Sequence, residues 1–586
     1  MSYLDLPRLC FIGKFQADVS TSNNDPCHFA PGKVKNPWWN SNGSNRFQFQ
    51  GATVTSVTLA GGMFQNTAAD DPIVTTPVIS TNNPQMGKLV DLDPEQQMVS
   101  QVWGLQLCIG DQSSGNYVLG NFRAVNFRDM TGGRSPQPPD NIAGAGATYL
   151  SVIDVLEWGP NLSNAMGKLQ TASGNLLSIR FVVDLYDDMS TLPGSDTPNP
   201  NFTWGRVCGA VGPANPSDPR NFVVGRFLRI PATPSPAANA ISALAMIKSG
   251  AITDVDPAAP ALPPASYNYA PAIVDVPNDH VAFDFGNSLC VTASGDRYPG
   301  MGDLQVAIAG GSVIGSIPAT TDDYTQRSWI YDFNGNGVAA PLATQPLALL
   351  EDGNQVLVEN PNGTYVDFTE WVYRANAGDP PLEITVMTLQ WGQPLAGQTV
   401  NIVDASNNIL QPPPPKQFGG VGCTNMPFDT TPGISYKSPV TTGNDGTATV
   451  TVTLSDPGDP RDGLEGQVYA IAPQWDQDGN PDSNIAASIL LHSNPPVPDT
   501  PQWATDVLPT FAQYMKLYPF MKARMDLTNE QTVKNNASVI ESMLTMPITD
   551  PRFMPVTRDL SNAKLQTILK WLRANGASTP PSPPAH

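Results

Sequence analysis

The chain has 586 residues, of which 40% are apolar and only 14% charged, and its formal net charge is −21. Length of this order suggests roughly three to four domains with sizeable cores. An acidic chain with few cations repels phosphate backbones, which argues against a nucleic-acid partner. The 59 prolines and 49 glycines are spread between apolar runs, a turn-rich β pattern rather than a disordered one. The N-terminus shows no basic leader with an apolar h-region, and no run approaches about 18 apolar residues. The expectation is a cytoplasmic protein without membrane contact. The six cysteines are scattered with no CxxC pair, which fits buried free thiols better than a disulfide framework or a zinc site.

Taken in chain order, residues 1–235 read as a β-rich domain. Leu9 to Phe15, Ala52 to Leu59 and Leu176 to Tyr186 are its clearest strands. Residues 236–380 form a second β-rich domain. It includes a short helix candidate, Ala238 to Lys248, and a hairpin around Gly310-Gly311. Residues 381–495 read as an immunoglobulin-like antiparallel sandwich, with strands near 382–386, 399–403, 447–454 and 466–471. Asn444-Asp445-Gly446 is a hairpin signal, and Pro412 to Pro415 a rigid spacer. Residues 503–576 read as a module of three short helices. Thr528 and Gln531 make a capping box, and Val533, Ala537, Ile540 and Leu544 make one apolar stripe. Ser561 caps the last helix, whose face is Leu565, Ile568, Leu569 and Leu572. A disordered Pro-rich tail, 577–586, follows. The fold class expected is mainly β, several antiparallel sandwich-like domains with a small C-terminal helical module.

Candidate chemistry is thin. Only four histidines occur, His28, His280, His492 and His586, with no pair at metal-ligand spacing. His28 lies in the polar segment Asn23 to His28, which reads either as an Asx-type turn or as a ligand contact. Asp91 and Asp93 sit two residues apart. On one strand face they would do acid–base work or bind a cation; at a strand end they would be solvated carboxylates. Asp476, Asp478, Asn480 and Asp482 space oxygens as calcium loops do, but Ala487 stands where such a loop carries its last Glu, so an exposed turn is the competing reading. Asp332-Phe333-Asn334-Gly335-Asn336-Gly337 is a weaker version of the same pattern. Trp38 and Trp39 would present aromatics to a sugar or planar ligand, or pack in a core. Lys516, Lys522, Arg524, Lys534, Arg552, Arg558, Lys564, Lys570 and Arg573 make the helical module locally basic. They form a solvated surface or a docking face for an acidic partner.

Three segments carry a resemblance. Leu4-Asp5-Leu6-Pro7-Arg8-Leu9, Phe511 to Met521 and Met554 to Ser561 resemble the N-terminal half of the iminophenylpyruvate dimer synthases and chromopyrrolic acid synthases of violacein and indolocarbazole biosynthesis. Shorter likenesses lie at Asn23 to His28, Gly87 to Pro94, Val223 to Leu228, Asp284 to Leu289, Val358 to Pro361 and Val372 to Arg374. The resemblance implies a shared architecture. In that family a ferritin-like part follows, and its oxidative coupling depends on an iron or haem centre. No Glu-x-x-His pair occurs in this chain. The expectation is a non-catalytic accessory or scaffold protein of secondary metabolism, working with a separate ferritin-like or other oxidative enzyme through its helical module. Two alternatives stand beside it. One is a stand-alone enzyme or small-ligand or metal binder using His28 and Asp91. The other is a carbohydrate- or surface-binding sandwich using Trp38 and Trp39.

Overall fold

The computed structural model describes residues 2–17, 46–80, 87–93, 99–128, 130–131, 146–184, 204–231, 267–292, 297–406, 433–458, 460–461, 465–475 and 485–576. His28, Trp38, Trp39, Asp476, Asp478, Asn480, Asp482, the helix candidate at 238–248, the spacer at 412–415 and the tail lie outside the described residues. The chain is mainly β, with several antiparallel sheets and a helical C-terminal region.

The first sheet has thirteen strands among the described residues. Its middle runs Gly146–Trp158, Leu176–Asp184, Trp204–Pro213, Arg8–Ala17, Arg46–Leu59, each antiparallel to its neighbour. The register explains its two faces. Tyr149, Phe181, Gly209 and Phe11 align in one row, and alternation sends that row to one side of the pleat. There Phe47, Phe49, Phe122, Tyr149 and Phe181 pack ring against ring. Gly209 is required by this packing, because a Cβ there would lie 2.4 Å from the Phe11 ring. The adjacent row, Leu150, Arg180, Ala210 and Cys10, turns to the other side and meets the second sheet.

The second sheet has eight antiparallel strands among the described residues, from Val313–Ile317 at one edge to Ile330–Asn334 at the other. The expected hairpin is present, joining Leu304–Ile308 to Val313–Ile317 with Gly310 at φ +69°. Strand pairing crosses the expected limits at 235 and 380. Arg226–Arg229 belongs to the second sheet, while Thr364–Phe368 and Val372–Asn376 belong to the sandwich.

Two sheets, each of five strands among the described residues, close the sandwich around one apolar core containing Ile384, Val386, Val450, Val452, Ile471 and Ile489. Asn444-Asp445-Gly446 is a turn but not a hairpin. The strand before it, Val440–Thr441, pairs with Thr399–Asp404, and the strand after it, Thr447–Leu454, pairs in the opposite sheet. The turn therefore carries the chain from one layer to the other.

The helical module divides into five α-helical segments rather than three: Leu508–Leu517, Pro519–Arg524, Glu530–Asn535, Ala537–Leu544 and Asn562–Ala574. Pro519 ends the first, since it cannot donate to the helical ladder. Asn529, not Thr528, caps the third by accepting from Thr532 N; Thr528 is held by Asp526 instead. The stripe Val533, Ala537, Ile540 and Leu544 is buried as the spacing predicts, and Ser561 caps the last helix. Helix Asn164–Ser173, capped by Ser163, was not expected in the first domain. No described helix is long and apolar enough to cross a membrane. Cys10, Cys108, Cys208 and Cys290 are buried free thiols.

Candidate functional site

A dense set of titratable groups lies where the first sheet, the sandwich and the helical module meet. A cavity of about 20 Å³ there is lined by Asp93, Arg461, Glu465, His492, Tyr514, Asp559 and Lys564, among others. Such a volume holds about one or two water-sized groups.

Asp91 and Asp93 follow strand Gly87–Val90, so they sit at a strand end and do not share a strand face. They are buried, not solvated, at 9% and 2% exposure. They also face different partners. Asp93 accepts from Arg461 Nη1 at 2.5 Å and lines the cavity. Asp91 accepts from Ser100 Oγ and is not among the cavity walls. Burial pushes the Asp91 carboxyl up to about 7, the Ser100 hydrogen bond pulls against it, and the charge of Asp93 adds to the rise. A carboxyl with that value suits acid–base work at neutral pH, but this one does not line the cavity.

Arg461 is held on its other sides by the carbonyls of Gly466 and Glu465, at 2.9 and 3.2 Å. Glu465 in turn accepts from Ser561 Oγ at 2.9 Å and pairs with Lys564 at 2.9 Å, which ties the sandwich to the start of the last helix. Asp559 accepts from Tyr514 at 2.8 Å and Thr557 at 2.5 Å. Burial holds its carboxyl above the usual range. His492 is 6% exposed, and its Nδ1 has no hydrogen-bond partner among the described residues. Burial lowers this imidazole to about 4, so it is neutral at pH 7.

Beside the cavity, two guanidiniums flank Trp103. Arg374 lies 5.6 Å and Arg558 5.0 Å from the ring centroid. Arg374 also donates to Gln101 Oε1 at 2.5 Å and to the Thr557 carbonyl at 3.4 Å, so it touches both the first sheet and the helical module. Burial lowers both cations, Arg374 to about 10 and Arg558 to about 9.

The basic residues expected to form a docking face are largely engaged within the chain. Lys534 pairs with Glu530, Arg552 with Asp550, Lys564 with Glu465, Lys570 with Asp499 and Arg573 with Glu541. Arg558 is buried. Asp332, part of the weaker calcium pattern, is half-buried in strand Ile330–Asn334, with its side chain 6% exposed and paired with Arg8 and His280. Among the described residues, no group of three or more His, Cys, Asp or Glu is placed to hold a metal ion.

Local sequence pattern points to Asp91 and Asp93 but assigns no role to Arg461, Glu465, His492, Tyr514 or Asp559. The partners Asp93 and Arg461 are 368 residues apart, which no local pattern reports. Asp559 lies inside a segment that carries the family resemblance, and Tyr514 lies in another and on the face of its helix with Phe511, Met515 and Tyr518.

No protein-family model matches the chain, and no curated protein matches its sequence.

Proposed function

We propose that this protein is a non-catalytic scaffold or accessory protein, working with a separate oxidative enzyme as the resemblance to the iminophenylpyruvate dimer synthases implies. One observation carries the reading. At the junction, most charged side chains around the cavity are engaged with one another or with hydroxyls: Asp93 with Arg461, Asp559 with Tyr514 and Thr557, Glu465 with Ser561 and Lys564. The space left between them is about 20 Å³. Groups arranged this way hold three parts of the molecule in fixed relation, which is what a scaffold needs. The test is a native mass spectrum, with an absorption spectrum, of the protein isolated from its own source. A scaffold gives the bare polypeptide mass, alone or with a second polypeptide. A bound iron, haem or metabolite mass would sink this reading.

The second reading, a small-ligand binder, is favoured by the unpartnered Nδ1 of His492 beside the cavity. It expects a bound mass that His492→Ala removes.

A further inference from the structure

Four asparagines among the described residues are followed by glycine: Asn334, Asn336, Asn362 and Asn575. In an Asn-Gly pair the glycine amide nitrogen attacks the asparagine side chain readily, because glycine has no Cβ to hinder closure of the five-membered ring. The nitrogen must give up its proton to do so. A glycine N–H that is donated to an acceptor first has to break that hydrogen bond.

The fold ties three of the four. Gly335 N donates to the Asp279 carbonyl at 3.1 Å, and Gly337 N to Asp279 Oδ2 at 2.8 Å. Both reach Asp279 because it lies in the turn between strands Ala270–Asp275 and His280–Asp284, beside the end of Ile330–Asn334. Gly363 N donates to the Asn360 carbonyl at 2.8 Å. Gly576 differs. It follows helix Asn562–Ala574, and Asn575 itself takes carbonyls of the last turn, Leu572 O through its backbone N at 3.1 Å and Trp571 O through Nδ2 at 2.9 Å. Gly576 N has no hydrogen-bond partner among the described residues, and Gly576 is exposed. Exposure of the asparagine alone would rank the pairs differently, since Asn336 and Asn362 are exposed and Asn575 is half-buried.

We propose that Asn575 is a modification site, deamidating spontaneously and ahead of the three tied asparagines. Gly576 N bonds to Asn575 Cγ, the Cγ–Nδ2 bond breaks, and ammonia leaves with the proton from Gly576 N. Water then opens the cyclic imide at either carbonyl and gives aspartate or isoaspartate, with no change of oxidation state. The amide that donated to Trp571 O becomes a carboxylate that cannot donate, and it adds negative charge at the carbonyl end of the last helix. The product therefore caps that helix less well than the parent.

The deciding experiment incubates the folded full chain at mildly alkaline pH in heavy-oxygen water and follows its tryptic peptides by mass spectrometry. The label marks acid formed during incubation rather than during digestion. Cleavage after Arg573 separates Asn575 from the other three, which lie between Arg327 and Arg374. Asn575 is expected to form labelled acid about five- to tenfold faster than any of them, roughly the weight of one hydrogen bond. In guanidinium chloride the four rates are expected to converge. Asn336 or Asn362 reacting as fast as Asn575 in the folded chain overturns the proposal, and so does a difference that persists in the denaturant, which would belong to the flanking sequence. Asp279→Gly removes the carboxylate that holds Gly337 N, at a φ of +47° that glycine adopts freely. It is expected to speed Asn336 severalfold and to leave Asn575 unchanged, and an unmoved Asn336 rate in the folded variant overturns the proposal as well. Should that variant fail to fold, the rates in the unaltered chain decide alone.

Discussion

The sandwich and the first sheet bury their strands by different rules. In strand Thr447–Leu454 of the sandwich, Val450 and Val452 are buried while Thr449, Thr451 and Thr453 are exposed. One face carries the core and the other meets water. In strand Leu176–Asp184 of the first sheet all nine residues are buried. One face packs aromatics, and the other carries Arg180 into contact with the second sheet. A one-sided sheet leaves its polar residues to solvent. A two-sided sheet must give each charge a partner inside, and this one does: Arg8 with Asp332, Arg180 with Asp284, Arg206 with Asp184.

The sharpest way to break that comparison is to remove one partner. Arg180→Ala leaves Asp284 buried without its cation, at an expected cost of about 3–5 kcal/mol in denaturant unfolding. The pair replaced together, Arg180→Met with Asp284→Leu, is expected to recover most of the loss, because a buried ion pair and an apolar pair of similar volume are close in stability. Phe181→Ala, on the opposite face, has a similar expected cost of about 3–5 kcal/mol, yet no second substitution restores it, since the loss there is volume. A double variant no better than Arg180→Ala would mean that the two faces do not differ in kind.

The junction sets two buried groups against each other in pH. Asp91 titrates at about 7 in the fold, above its ordinary value, so its contribution is complete below about pH 4 and is lost as pH rises through 7. His492 titrates at about 4, below its ordinary value, so its contribution is present above about pH 6.5 and is lost as pH falls through 4. Between pH 4 and 7 the slopes oppose and largely cancel. Asp91→Asn is expected to unmask a stability that rises across this range, and His492→Gln one that falls, each on the order of 3 kcal/mol. Unfolding midpoints at several pH values check it. Slopes of the same sign in both variants would refute the assignment.

The same contrast explains what could be read in the chain. Sandwich strands were legible because one wet face leaves strict alternation, and the stripe of the helical module was legible because its other side is exposed. Helix Asn164–Ser173 was missed although Ser163 caps it, because Gly167 interrupts its short apolar pattern. The junction was nearly illegible, since its partners are far apart in the chain: Arg374 meets Gln101 across 273 positions. A weak signal did exist. A lone charge inside an apolar strand, as in Ser178-Ile179-Arg180-Phe181-Val182, is a demand for a buried partner. The segments that carry the family resemblance hold Arg8, Arg226, Asp284, Glu359, Arg374, Arg558 and Asp559, all buried or half-buried. Arg226 pairs with Glu359 through two bonds of 2.5 Å. Arg8 and Asp284 are likewise paired with opposite charges, whereas Arg374 and Arg558 are held by amide or carbonyl oxygens and Asp559 by hydroxyls, so what these segments share is polar groups satisfied inside the fold.

Smaller effects belong to the partly wet pairs. Lys564 is 34% exposed and its partner Glu465 10%. Lys564→Ala is expected to cost no more than about 1 kcal/mol, because Ser561 still donates to the same carboxylate. A loss of several kcal/mol would show that this one contact, rather than the whole junction, holds the module in place.

The smallest expected effect tests the wet face of the sandwich. Thr451 is exposed and donates to Glu383 Oε2 at 3.0 Å across the strand pair. Both groups reach solvent, so water replaces the bond when the hydroxyl is removed, and only part of the strand preference of a β-branched residue is lost. Thr451→Ala is therefore expected within about 0.5 kcal/mol of the parent in denaturant midpoint. A loss well above 1 kcal/mol would require that this face be covered in solution, by a second copy or another part of the chain. The sandwich would then be two-sided like the first sheet, and the distinction between them would fail at the residue where it is easiest to measure.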